Sequence, residues 1–166
     1  MAQDHGAERF RFLYRQAEGV IDRRAWARAS LPPVAIALLL TALWFAIAPS
    51  GPRDLAREAF IDPFVVATHV YFLVYAFALI LCAVAEYFVS AKRFADRGKP
   101  PALAGLAPFS LLLAGAAHWY QPRSEGAMPL GIAYAFDAIA IAIVAWNVIE
   151  LGFGESRKTL KRGGKV

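Results

Sequence analysis

Three side chains able to carry a proton sit inside otherwise apolar stretches of this sequence: His69, His118 and Asp137. An ionisable group inside a bilayer is expensive, so these residues are the first candidates for proton or cation transfer. Asp137 lies ~12 Å by helix rise from Pro129, where its apolar run begins, and His69 lies ~9 Å from the outer end of its own run. That agreement in depth makes His69 the expected partner of Asp137. Tyr134, Tyr71 or a backbone carbonyl are the alternatives. Tyr134, Asp137 and Ile141 share one helical face, expected to point into the bundle. An aspartate–histidine couple can relay a proton, and it can equally pin two helices together. His69 and His118 also have the residue type for a haem or metal site. Ser110, His118 and Asp137 are the types of a nucleophilic triad, but no motif positions them as one. The chain has no Cys-x-x-Cys, no His-Glu-x-x-His and no glycine-rich phosphate loop, so no catalytic residue, metal ligand set or cofactor is expected.

Three acidic residues stand where apolar runs meet basic segments. Glu86 lies ~33 Å from Phe64 and Glu150 ~31 Å from Pro129, which puts both at the edge of a ~30 Å hydrocarbon core. They are expected to pair with Lys92, Arg93, Arg157 or Lys158. Asp96 sits among Lys92, Arg93, Arg97 and Lys99. It is expected to fix the turn, capping the following helix or pairing with Arg93, or else to form part of a headgroup site. The lone Cys82 reads as packing.

The elements that must hold these residues follow from apolar run length. Of 166 residues, 58% are apolar and 19% charged, against about 25% charged in an average soluble domain. That balance excludes a disordered chain, a disulfide scaffold and most soluble enzymes. About 20 apolar residues cross a bilayer as a helix. Four runs qualify, at about 30–48, 64–91, 102–120 and 129–152. The third is the weakest, being short and carrying Pro108. None alternates with period 2, so barrel strands are not expected. The expected fold is an all-α polytopic membrane protein: four transmembrane helices at 30–152, preceded by an N-terminal segment 1–29 with an amphipathic interfacial helix and followed by a basic tail 153–166.

Basic residues set the expected orientation. Arg9, Arg11, Arg15, Arg23, Arg24 and Arg28 precede the first run. Lys92, Arg93, Arg97 and Lys99 follow the second. Arg157, Lys158, Lys161, Arg162 and Lys165 follow the fourth. Only Arg53, Arg57 and Arg123 lie in the other two loops. Four spans bring every basic-rich segment to one side, and the positive-inside rule makes that side cytoplasmic, with both termini. Three spans would split them, so charge supports the third helix independently of hydropathy. No cleavable signal peptide is expected ahead of the first run.

Residues 8–28 read as a surface helix, with Phe10, Leu13, Tyr14, Ala17 and Ile21 on one face and a break at Gly19. Its arginines suit anionic phospholipid headgroups. The expected headgroup or interfacial set is Arg9, Arg11, Arg15, Arg23, Arg24, Lys92, Arg93, Asp96 and Arg97. Because the positive-inside rule already accounts for the net charge of +5, nucleic acid is not an expected partner. Gly131, Ala135, Ala138, Ala142 and Ala145 form a small-residue face that would let a neighbouring helix approach closely. In the loop at 49–63, Arg53, Asp54, Arg57 and Glu58 suggest a short interfacial helix.

Gly19, Ile21, Arg23 and Trp26 before the first run, and Arg93, Asp96, Gly98 and Lys99 after the second, resemble the motifs of the YhaH-like bacterial inner-membrane proteins, a family defined by a domain of unknown function. Val20 stands where that family has arginine, Phe94-Ala95 where it has Leu-His, and Pro100-Pro101 near its Ser-Gly-Trp-Trp. The resemblance implies a small four-helix protein of the bacterial inner membrane and implies no activity. Three functional classes stand open: a structural or accessory subunit working through lipid, self-association or another membrane protein; a transporter or channel subunit with an Asp/His relay; and a haem or metal protein.

Overall fold

The computed structural model describes residues 2–47 and 62–156. Every regular element among them is helical: α1 (Ala2–Tyr14), α2 (Arg23–Ile47), α3 (Pro63–Asp96), α4 (Leu106–Tyr120) and α5 (Leu130–Phe153), with short 3-10 turns at Pro101–Gly105 and Gln121–Arg123. Four segments are long and apolar enough to cross a membrane, Arg23–Ile47, Pro63–Asp96, Pro101–Arg123 and Leu130–Phe153. The third reaches that length because the two 3-10 turns extend α4 at both ends. Pro108 falls in the first turn of α4, where its missing N–H would have no helical partner anyway. The Arg53–Glu58 loop helix and the basic tail from Arg157 lie outside the described residues.

The helices form two hairpins, α2 with α3 and α4 with α5. In the first, Thr41 and Tyr75 share a 3.1 Å hydrogen bond, Tyr71 donates to the Leu40 carbonyl, and Trp44 stacks on Tyr75. In the second, the buried residues are small: Ser110, Ala114 and Ala117 on α4, Ala133 and Ala140 on α5. The expected face of Gly131, Ala135, Ala138, Ala142 and Ala145 is instead exposed. Both faces of this alanine-rich helix are narrow enough for close approach. Asn147 and Leu151 extend the Ala133–Ala140 row to the end of the helix, and that row faces the protein.

Three helix boundaries differ from the sequence expectation. The break expected at Gly19 in the surface helix at 8–28 is wider than one residue: α1 ends at Tyr14 and α2 already starts at Arg23, because Asp22 caps it, accepting from the Ala25 amide at 2.7 Å. The chain turns between them at Gly19, whose φ is +105°. A Cβ there would stand 2.7 Å from the Phe12 ring. Phe10 is therefore exposed while Ile21 is buried. The second span also runs past its expected end at 91, through Lys92 and Arg93 to Asp96. It closes at Gly98 (φ +73°), whose amide donates to the Ala95 carbonyl while that of Lys99 donates to Phe94. This pair of bonds with a left-handed glycine is the Schellman ending.

Pro32 and Pro33 lie inside α2 without breaking it. Pro33 has no N–H for the Ala29 carbonyl one turn back. The Tyr14 hydroxyl donates to that carbonyl at 2.9 Å. The proline in α2 thus frees an acceptor that ties the end of α1 to α2.

Candidate functional site at the basic end

The N-terminal segment, the α3–α4 connection and the end of α5 converge at one end of the bundle. Two cations at the end of α3 are fully buried there, Lys92 and Arg93. The ammonium of Lys92 donates to the carbonyls of Leu13 and Phe88, both at 3.1 Å, and to that of Gln16, and it lies over the Phe12 ring. Three donors thus meet three acceptors. Arg93 donates through Nε to the Leu151 carbonyl at 3.0 Å, through Nη2 to the Gly154 carbonyl, and through Nη1 to Asp96 and to the Ser156 hydroxyl. Ser156 donates in turn to Asp96 at 2.5 Å.

The last carbonyls of α5 have no helical N–H to accept from. Arg93 takes those of Leu151 and Gly154, and Arg97 takes that of Glu150 at 2.9 Å. Positive charge is also favoured at a helix C-terminus by the helix dipole. Arg97 and Lys99 pair with the Glu150 carboxylate at 2.8 and 2.5 Å. Gly154 has no room for a side chain: a Cβ there would stand 0.6 Å from a guanidinium nitrogen of Arg97. Phe94 stacks on Trp146 and packs with Ala91, Ala104 and Leu151 beneath this network.

These contacts correct the headgroup set. Lys92, Arg93 and Asp96 are enclosed by protein and bond within it, and Arg97 is engaged with Glu150. Glu150 pairs with Arg97 and Lys99 rather than with Lys92 or Arg93. Among the described residues Glu86 pairs with no cation: it accepts from the Ser30 and Ser90 hydroxyls, each at 3.0 Å, and its second oxygen is buried there without a partner. The Trp26 indole donates to Ser90 at 3.3 Å. Ser30, Ser90 and Trp26 are therefore part of this polar group, a role their positions in the sequence did not reveal. Two serines at the edges of neighbouring apolar runs, level with a glutamate, were the available signal. The Tyr14 phenol is pushed above its ordinary range by burial and by the charge of Glu86, with Arg9 opposing, so it remains a hydrogen-bond donor.

The remaining expected headgroup residues differ in kind. Arg9, Arg11, Arg15, Arg23 and Arg24 are exposed, as is Arg28. None has an acidic partner within ion-pair distance among the described residues.

At the opposite end, Asp137 bonds His118, not His69. Its Oδ2 lies 2.7 Å from His118 Nε2, and the two side chains are 35% and 48% exposed. His69 instead places Nδ1 2.8 Å from the Val65 carbonyl of its own helix and meets the edge of Phe72. Helix rise sets depth but not direction around the axis, and α4 is the helix packed on α5. Tyr134 faces outward. Ser110 donates to the Ala107 carbonyl, about two turns from His118, so the paper triad does not assemble. No cluster of three His, Cys, Asp or Glu occurs among the described residues, and His69 and His118 are each engaged elsewhere.

Comparison with known proteins adds no relative: no family model, no curated protein and no solved structure matches the chain.

Proposed function

We propose that this is a small multi-pass protein of the bacterial inner membrane, with both termini cytoplasmic, that serves as a structural or accessory subunit through helix–helix and anionic-lipid contacts. Membership of the YhaH-like family belongs to the same reading. One observation carries it: the cations at the basic end divide into two sets. Lys92, Arg93, Arg97 and Lys99 are consumed in joining α3 to α1 and α5. The arginines from Arg9 to Arg28 are exposed and free of acidic partners among the described residues. The first set builds the scaffold and leaves the second to meet a charged surface, and a cytoplasmic leaflet supplies one. Apart from the carboxylates of Glu86, Asp96, Asp137 and Glu150 and their partners, the described spans offer little polar chemistry.

A second reading rests on His118 and Asp137. A hydrogen-bonded imidazole–carboxylate couple, partly exposed about 11 Å along α5 from its start, has the composition of a proton relay. Reconstitution separates the two. Purified protein in liposomes loaded with a pH-sensitive dye is expected to pass protons no faster than protein-free liposomes. A flux that depends on the protein and is lost in Asp137→Asn would overturn the accessory reading in favour of the relay.

A further inference from the structure

Two cavities open at the basic end, one on each side of the start of α2. The larger, about 390 Å³, is lined by Arg23, Arg24 and Arg93, but also by Asp22 and Glu155. Its lining mixes carboxylates with cations, and Arg93 is committed to its own acceptors. The smaller, about 210 Å³, lies between α1 and α2. Its walls include Phe12, Leu13, Ile21 and Ala29, and Arg9 and Arg28 line it as well. It has no acidic residue in its lining. Both arginines are exposed and have no acidic partner among the described residues. The nearby Tyr14 hydroxyl is already spent on the Ala29 carbonyl.

We propose that this cavity holds the headgroup of an anionic phospholipid, with Arg9 and Arg28 on the phosphodiester and the glycerol end of the acyl chains against Phe12, Leu13 and Ile21. The proposal deepens the lipid-contact reading above and rests on it. Three features select the ligand. Two guanidinium groups with no acidic partner among the described residues favour a bound anion, and a guanidinium fork matches phosphate oxygens. The apolar wall is of no use to a free phosphate but suits a molecule that carries hydrocarbon beside its charge. Arg28 lies only about five residues, or ~8 Å by helix rise, inside the start of a spanning helix, the level at which headgroups lie.

The test uses the full chain, delipidated in a zwitterionic detergent, with native mass spectrometry to count retained lipid. Phosphatidylglycerol is expected to be retained in preference to phosphatidylcholine. R9Q/R28Q is expected to lower retention of phosphatidylglycerol roughly tenfold to thirtyfold. R11Q/R15Q removes the same charge from the same segment outside the cavity and is expected to leave most of the preference. A25F narrows the cavity without changing charge and is expected to act as R9Q/R28Q does. Equal losses in the two arginine pairs would overturn the cavity site and leave a general anionic-surface reading standing. No lipid preference in the unmodified protein would overturn both. Displacement of the lipid by millimolar inorganic phosphate would make the occupant a free anion, and the lipid assignment would fall.

Discussion

Arg93 shows what a single residue contributes at the basic end. Its guanidinium is fully buried and joins two carbonyls of the α5 end, the Asp96 carboxylate and Ser156. Replacing both members of a buried ion pair by apolar groups can be neutral, but removing one partner leaves the other charge uncompensated. Arg93→Gln leaves Asp96 buried without its cation and two carbonyls short of a donor. Destabilisation of about 3–5 kcal/mol is expected, read as a large fall in the thermal midpoint of the protein in detergent. Arg93→Lys keeps the charge and loses the fork, so it should fall between the two. A midpoint for Arg93→Gln equal to that of the unmodified protein would show that the network contributes no stability. Of these partners only Asp96 was legible in the sequence, as the expected turn partner of Arg93. Lys92 and Arg93 read as the exit of a span, and their acceptors lie up to 79 residues away on other helices.

At the scale of elements, α1 is held to α3 through Lys92, and its bond to α2 uses a defect in that helix. Pro33 removes the N–H that would have bonded the Ala29 carbonyl, and Tyr14 replaces it. Spanning helices tolerate proline when a neighbour satisfies the freed carbonyl in this way. Tyr14→Phe is expected to cost about 1 kcal/mol in thermal or denaturant unfolding, the worth of one hydrogen bond. In a Pro33→Ala background the restored helical N–H serves the same carbonyl, so Tyr14→Phe should cost measurably less. A double-mutant cycle checks this, and additive effects would show that proline and tyrosine act independently. The four spans themselves were legible, since run length and the entry at Asp62-Pro63 reflect local chemistry, although the second was expected to end at 91 and runs to Asp96. Asp62 caps α3, accepting from the Phe64 amide at 2.7 Å. What pattern could not supply was the direction each helix faces. Asp137 and its candidate histidines could be ranked by depth, yet the choice between His69 and His118 depended on which helix lies beside α5. The same gap explains the small-residue face, because α5 carries alanine around most of its circumference.

The whole molecule joins two apolar hairpins at one polar end, and that end also carries the arginines that have no acidic partner among the described residues. The contacts from Trp26 to Ser90, Arg93 to Leu151 and Arg97 to Glu150 place the start of α2 and the ends of α3 and α5 together. In a four-span chain this brings the N-terminal segment, the α3–α4 connection and the end of α5 to the same side. The basic residues of all three segments then act in concert on orientation, because lysines and arginines near span ends resist translocation. Arg123 is the one basic residue described in the α4–α5 connection, and it donates to the Trp119 carbonyl and lies over the Trp119 ring. The expected orientation therefore has the α1 end in the cytoplasm and the α4–α5 connection outside. Single cysteines at Ala7, Ala102 and Ala127, all exposed positions, in a Cys82→Ala background, report it directly. A membrane-impermeant maleimide should label position 127 in intact cells, and positions 7 and 102 only after permeabilisation. Labelling of 102 together with 127 in intact cells would mean that the third segment does not span, despite its length and the contacts that hold both of its ends. Labelling of 7 and 102 without 127 would invert the molecule and place the free arginines away from the anionic leaflet, which would remove the physical basis for the lipid role assigned to them.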